Sequence, residues 1–323
     1  MANKNLENLL MEYEEKRRKA ELELENKKIE IYSKFPRLEE IDDEINKLSI
    51  NKTKMILNKN QDTIDMDKKI TELKKEKEKI LKKEKIDLTI KYECNICKDY
   101  GYIQKENSKT IMCNCLKQKL LNLSYNKSNL SDIKKDNFEN FNSDIFSDEG
   151  NNSPRKNILS IKNACIKFID EFDNLETKNL LFTGNTGLGK TFMSNCIANE
   201  LLKKGKTVLY QTAPVLLETV IDNKFNKYKT QNSDEFYNNI LTVDLLIIDD
   251  LGTEYLNSMK LSELFTILNT RILSLNNKPT KTIISTNLSI EQIFKIYEER
   301  IGSRIAGYYD IYQFFGEDLR LKK

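Results

Sequence analysis

The chain has 323 residues, with 53 Lys and Arg against 50 Asp and Glu, a net charge of +3, and no histidine. The near balance of charge excludes a polycation that coats nucleic acid along its length, so any such contact has to come from a local patch; the missing histidine excludes Ser-His-Asp and Cys-His catalysis, HExxH zinc enzymes and every histidine-bearing metal site. No apolar run reaches the roughly 18 residues of a membrane span, the N-terminus lacks a signal-peptide core, and six cysteines without an export signal read as thiols or metal ligands of a cytoplasmic protein.

Residues 1–91 are almost all Glu, Lys, Asn, Leu and Ile, with no glycine and one proline, Pro36. That composition favours helix. Leu6, Leu9, Leu10 and Tyr13 share one helix face, as do Ile41, Ile45 and Leu48, and then Met66, Ile70, Leu73 and Ile80 with Lys77 in the skipped position. Narrow apolar seams on such polar helices predict a helical hairpin or short coiled coil that binds a partner, the alternative being solvated charged helices. Pro36 is expected to begin or break a helix.

Cys94-x-x-Cys97, fifteen residues and Cys113-x-Cys115 read as a Cys₄ zinc module over residues 92–116. Four soft ligands in two close pairs suit a tetrahedral Zn²⁺ once a hairpin brings the pairs together, and Gly101 with Glu106-Asn107-Ser108-Lys109 allows that hairpin. Such a closed site is structural and activates no water. A redox CxxC would open a helix in a thioredoxin-like βαβ unit, and no such pattern surrounds this one. Cys165 and Cys196 fall in helical patterns and read as core. Residues 117–155, rich in Asn, Ser, Asp and Lys, read as a linker with some local helix.

From residue 156 the texture changes. Leu180–Thr183, Val208–Tyr210, Leu245–Ile248, Thr282–Ser285 and Ile311–Phe315 read as strands, with helical patterns between them, including 190–204 and 262–275. This alternation predicts an α/β domain over 156–323, a parallel sheet flanked by helices on both faces.

Gly184-Asn185-Thr186-Gly187-Leu188-Gly189-Lys190-Thr191 fits G-x-x-x-x-G-K-[ST], between a strand and a helix as a P-loop requires. Glycines let the backbone wrap phosphate oxygens, the amides of the helix start face the anion, Lys190 reaches the β and γ phosphates, and the Thr191 hydroxyl binds Mg²⁺. Val243–Asp250 supplies a buried apolar strand ending in two carboxylates. Ligands bind at that end of open α/β sheets, so Asp249 is expected to orient the Mg²⁺ shell and Asp250 to polarise the attacking water. Asn287, ending a third strand-like run, can touch the γ-phosphate or orient the water. Lys224-Phe225-Asn226-Lys227-Tyr228-Lys229 interleaves cations with aromatics. It reads either as a contact for single-stranded DNA or as a polar helix end with two half-buried rings.

Together these residues resemble AAA+ ATPases. With Leu251-Gly252-Thr253-Glu254 and Ser285-Thr286-Asn287-Leu288, they are similar to the bacterial replicative helicase loaders of the DnaC/DnaI group and their IstB-type transposition relatives. The resemblance covers about half the chain. It implies that Glu299-Arg300-Ile301-Gly302-Ser303-Arg304-Ile305 carries an arginine finger, Arg304 or in its place Arg300, that enters a neighbouring subunit's site in a homo-oligomer. It also implies that Phe315–Arg320 is the closing motif, with Arg320 near the nucleotide as a sensor. The chain stops where most AAA+ proteins begin a helical lid, as in the loader group. Asp250 stands where many AAA+ proteins have Glu, which suits a switch more than a motor. The cysteine cluster resembles the zinc-bearing module of DnaI-type loaders, which contacts the helicase, and IstB-type proteins generally lack it. The resemblance therefore implies an ATP-dependent loader of the hexameric replicative helicase that uses ATP, Mg²⁺ and Zn²⁺. A transposition helper, a phage-type replication ATPase, and a zinc-clasped coiled-coil scaffold with a vestigial nucleotide site are the alternatives.

Overall fold

The computed structural model describes residues 2–57, 64–104, 109–124, 136–150, 153–225, 231–273 and 279–321. The chain forms two compact units, residues 7–111 and residues 112–323 with 1–6. Glu106–Ser108 of the expected hairpin turn and Asn226–Lys229 of the basic–aromatic run lie outside the described residues.

The first unit is helical. Helices α1 (Ala2–Lys34), α2 (Pro36–Leu57) and α3 (Ile64–Lys83) follow one another. Pro36 opens α2, where its missing N–H is no loss and its fixed φ already suits a helix. Leu9 and Tyr13 on α1, Leu38 and Ile41 on α2 and Leu73 on α3 are buried. Lys77, in the seam position the apolar pattern skips, donates to both oxygens of Asp42 on α2 at 2.5 and 2.7 Å, and Asp42 also accepts from the Tyr32 hydroxyl. Strands β1 (Tyr102–Gln104) and β2 (Thr110–Met112) then form a two-stranded ribbon.

The second unit begins with α4 (Asn114–Ser124) and continues with α5 (Pro154–Asp170). A parallel sheet follows, built of β3 (Asn179–Thr183), β4 (Val208–Thr212), β5 (Leu245–Leu251), β6 (Lys281–Thr286) and β7 (Tyr309–Gln313). Between them run α6 (Lys190–Lys203), α7 (Ala213–Phe225), α8 (Gln231–Thr242), α9 (Ser258–Leu273), α10 (Ile290–Ile296) and α11 (Glu298–Tyr308). The order across the sheet is β4-β5-β6-β3-β7, so β6 is inserted between β3 and β5. Strand side chains alternate between faces. Leu181, Leu209, Leu246, Ile248 and Ile284 pack with α7, α8 and α9 on one face. Leu180, Phe182, Val208, Leu245, Ile247 and Ile283 pack with α5 and α6 on the other. The last strand begins two residues earlier than the apolar pattern suggests, because Phe314 turns into the core beyond the strand's end.

Of residues 117–155, the described stretches 117–124 and 136–150 pack against the sheet unit. Gln118 on α4 brackets the edge strand, accepting from Val208 N at 2.7 Å and donating to Val208 O at 2.8 Å. Leu121 joins one core face, and Phe138, Phe141 and Phe146 join the other. A few apolar anchors among many Asn, Ser and Asp residues leave the average composition looking solvated.

Candidate functional site

Strand β3 ends at Thr183, and the chain wraps through Gly184–Gly189 into α6. Gly184 takes φ +131°, and a Cβ there would stand 2.1 Å from the Phe314 carbonyl oxygen, so only glycine lets the loop approach this closely. Gly189 caps α6 in a left-handed conformation. The amides of the first turn of α6 therefore open toward the loop and make an anion site. Asn185 and Thr186 are exposed, while Leu188 is buried and anchors the loop.

Lys190 is 6% exposed. Its ammonium donates to Gly184 O at 2.6 Å, Asn185 O at 2.7 Å and Asn287 Oδ1 at 2.8 Å. Burial lowers its pKa, opposed by the charges of Asp250 and Asp249. Thr191 donates to Asp249 Oδ2 at 3.1 Å. The Asp249 carboxylate, 2% exposed, also accepts from the Tyr210 and Ser285 hydroxyls. A carboxylate held by this many donors has a fixed orientation.

Asp250 follows in a left-handed conformation, φ +55°, where the β5–β6 register shifts between Ile248 and Leu251. The irregularity turns its side chain outward, beside Asp249 instead of along the sheet. Burial first, then the Asp249 charge, raises the Asp250 pKa, and Lys190 and Arg320 oppose the rise.

Arg320 belongs to the turn Leu319–Leu321 and is close enough to act electrostatically on Lys190 and Asp250. That turn is tied to the loop, since Leu319 N donates to Gly187 O at 3.0 Å and Phe314 N to Thr183 O at 2.7 Å. The structure thus gathers Lys190, Thr191, Asp249, Asp250, Asn287 and Arg320 around one glycine loop. Arg304 is not among them. Its guanidinium carbon lies 5.9 Å from the Tyr308 ring centre on α11, and it makes no hydrogen bond or ion pair with the loop residues. Arg300 pairs with Glu298 at 2.9 Å. Lys224 is held by Glu263 at 2.7 Å and by the Tyr237 ring.

Tyr210 and Ser285 were not legible as site residues. Ser285 offered one signal, a hydroxyl directly after the apolar pair Ile283-Ile284 and two residues before Asn287.

The ligand atoms of Cys94, Cys97, Cys113 and Cys115 lie within 4.8 Å of one another. Four thiolates at about 2.3 Å from a tetrahedral Zn²⁺ stand about 3.8 Å apart, so the cluster fits that ion with little movement. Lys98 and Asp99 are both left-handed. The turn aims Gly101 N at Cys97 Sγ, 3.3 Å away, while the Asp99 carboxylate accepts from the Glu93 and Cys94 amides at 2.8 Å. Cys165 and Cys196 are buried, and burial pushes the Cys196 thiol up to about 12.

The parallel sheet with β6 between the phosphate-loop strand and the acidic strand, and the Lys–Thr–Asp–Asn constellation at its carboxyl end, define an AAA+ P-loop fold. Residues 152–301 match the family described as IstB-like ATP binding protein, and part of the chain is similar to the DnaC helicase loaders. The replicative helicase loader DnaC of Escherichia coli (strain K12) is 29% identical over 139 residues, which are 43% of this chain and 54% of DnaC. The chain therefore spans about half the length of that relative. The phage-like element PBSX protein XkdC of Bacillus subtilis (strain 168) is 24% identical over 223 residues, 67% of this chain and 79% of that one. A crystal structure of DnaI aligns with TM-score 0.44 and 24% identity, covering 58% of this chain and 93% of that one.

Proposed function

We propose that the chain is an ATP-dependent loader of a hexameric replicative DNA helicase, with a slow ATPase completed between subunits. One observation carries the nucleotide half of this reading: Lys190, held against Asn287 at 2.8 Å, and Thr191, bonded to Asp249 at 3.1 Å, converge from three strand ends on the glycine loop. The loop amides and Lys190 bind the phosphates of ATP. Thr191 and Asp249 would hold Mg²⁺, which supplies positive charge to the phosphate oxygens when bound. Asp250, turned out of the sheet, accepts the proton of the attacking water, and Asn287 orients it. Catalysis is positioning plus charge stabilisation, with no covalent intermediate. Arg304, set beside the Tyr308 ring on α11, serves the site of a neighbouring copy, and Arg320 reports on the nucleotide in its own.

Helices α1–α3 and a zinc module held by Cys94, Cys97, Cys113 and Cys115 grip the helicase in the cytoplasm, and the ATPase half follows single-stranded DNA. A second reading, a phage-type replication ATPase, is favoured by the length of the match to XkdC. Among the described residues no helix is long and apolar enough to cross a membrane.

The test is paired. Lys190→Ala is expected to abolish nucleotide binding by calorimetry, and Arg304→Ala to keep binding while turnover falls by about 10³-fold or more. Normal turnover in purified Arg304→Ala removes the trans finger, and failure of the unmodified chain to take up ATP with magnesium removes the ATPase. Capture of the hexameric helicase by the full chain separates the loader from the phage-type reading.

A further inference from the structure

Two buried polar side chains that the phosphate chemistry does not use face each other behind the site. Glu254 lies in the loop leaving β5, four residues beyond Asp250, and is 9% exposed. One of its carboxylate oxygens accepts from Gly252 N at 2.9 Å, and the other accepts from the hydroxyl of Tyr297. Tyr297 has no exposed surface. It is the residue at which α10 ends and α11 begins, its amide still bonded to Ile293 O.

The next residue, Glu298, has φ +66°. A side chain in that region carries a conformational cost, which packing at the bend has to offset. The direction of α11 is therefore not set by continuous helical hydrogen bonds. It is set by what holds the bend, and that is the Tyr297 ring, buried and pinned at its hydroxyl by Glu254. The carboxylate in turn is solvated by protein donors instead of water, so moving the tyrosine away would strand a buried charge.

The loop that supplies Glu254 touches the rest of the site. A Cβ on Gly252, φ +106°, would stand 2.8 Å from Leu288, the residue after Asn287. One short loop thus continues from the acidic pair, leans on the end of β6 beside Asn287 and holds the root of the helix that carries Arg304. Seven residues separate Tyr297 from Arg304, about 10 Å along a helix. A tilt of about 10° at the bend shifts the helix at Arg304 by about 2 Å, and a misplacement of about 1 Å can cost about 100-fold in rate.

We propose that Glu254 and Tyr297 form a clasp that positions α11, and with it Arg304, for the nucleotide site of a neighbouring copy. The inference rests on the reading of Arg304 as a trans finger. Both are positioning residues, and the clasp makes the finger that one copy offers depend on the loop behind its own acidic pair.

Subunit mixing with full-length chains tests this. Asp250→Asn protomers bind ATP without hydrolysing it and still present Arg304. Arg304→Ala protomers keep an intact site and lack the finger. Mixed, they are expected to regain turnover that neither has alone. Adding Tyr297→Phe, which keeps the ring and removes only the hydroxyl, to the Asp250→Asn protomer is expected to cut the regained turnover at least tenfold, with nucleotide affinity and circular dichroism unchanged. Glu254→Gln in the same protomer keeps an acceptor oxygen and is expected to cut it less. Equal recovery with both variants overturns the clasp. So does a loss that appears only when Tyr297→Phe is placed in the Arg304→Ala protomer, since the pair would then serve its own site. No recovery in the parent mixture defeats the trans finger, and the clasp with it.

Discussion

Lys281 opens β6 and is fully buried. Its ammonium donates to Asn174 O at 3.1 Å and to Thr177 O, two carbonyls of the turn ahead of β3. Burial pushes its pKa down to about 8 from 10.5, only partly offset by Asp173. Below about pH 8 both folded and unfolded chains carry the proton, and the folded state bears the whole cost of burying the charge. Between about 8 and 10.5 the unfolded chain binds more protons, so this group makes stability rise with pH across that window. In Lys281→Met that rise is expected to be missing, as read from urea midpoints taken through the window. Identical slopes for the two proteins would remove Lys281 as the cause.

Arg271 is its neutral-pH counterpart on α9. It is buried, and its guanidinium donates to the carbonyls of Ile240, Leu241, Val243 and Lys281 and to the Thr282 hydroxyl, so these five contacts close the end of α8 and the start of β6 at once. Neither residue was legible in the sequence, where each is one of 53 cations. The phosphate loop was legible because its chemistry is contiguous, from Gly184 to Thr191. Asp249, Asp250 and Asn287 were legible because they end apolar runs. Tyr210, Ser285, Glu254 and Tyr297 act through partners 39, 36 and 43 residues away, and spacing carries no trace of such pairings.

At the scale of elements, the strands were readable because four of them are short β-branched or leucine runs, and the helices because a glycine, a proline or a polar break separates them. The N-terminal seams located buried Leu9, Tyr13, Ile41 and Leu73. They could not disclose that Lys77, the residue breaking the third seam, is itself an inward contact, bonded to Asp42. A half-buried ion pair in an apolar seam adds little net stability and fixes register instead. The cysteine turn is an element of the same kind. Asp99 holds the Glu93 and Cys94 amides, and Arg17 on α1 donates to Asp99 O at 2.8 Å while its guanidinium stacks 4.1 Å from the Tyr100 ring. Metal binding to four thiolates that a short turn and ribbon bring together is expected to supply much of the folding free energy of this segment. Metal analysis of the purified chain is expected to find one zinc. A strong chelator, or Cys97→Ser, is expected to release it and to speed amide exchange across residues 94–115, leaving the exchange of β3, β5 and β6 unchanged. Slow exchange across that segment in metal-free protein would show that the cysteines pack without an ion.

For the molecule as a whole, the decisive feature of the nucleotide-binding unit is that its chain returns to where its phosphate loop begins. Phe314 N bonds Thr183 O, Leu319 N bonds Gly187 O, and Asp318 accepts from Arg320 N at 2.9 Å while lying so close to Gly187 that a Cβ there would overlap its carboxylate. Gly316, at φ +133°, passes Pro154 at the start of α5. The closing segment is thus fastened to the six-residue turn Gly184–Gly189 and to the residue before it, and a ligand that orders this turn has to order that segment as well. Local opening of the 314–321 segment breaks the bonds to Thr183 and Gly187, so its free energy includes the conformation of the loop. If a nucleotide binds the closed loop in preference to the open one, it lowers the open population of the closing segment by mass action. Hydrogen exchange on the full chain reads this directly. An ATP analogue with magnesium is expected to slow exchange at residues 184–191 and at 314–321 together and by similar factors, and Gly184→Ala, which drives a Cβ into the Phe314 carbonyl, is expected to speed both. Protection confined to the loop, with the closing segment exchanging as before, would show that the two open independently and that Arg320 takes no part in sensing the nucleotide.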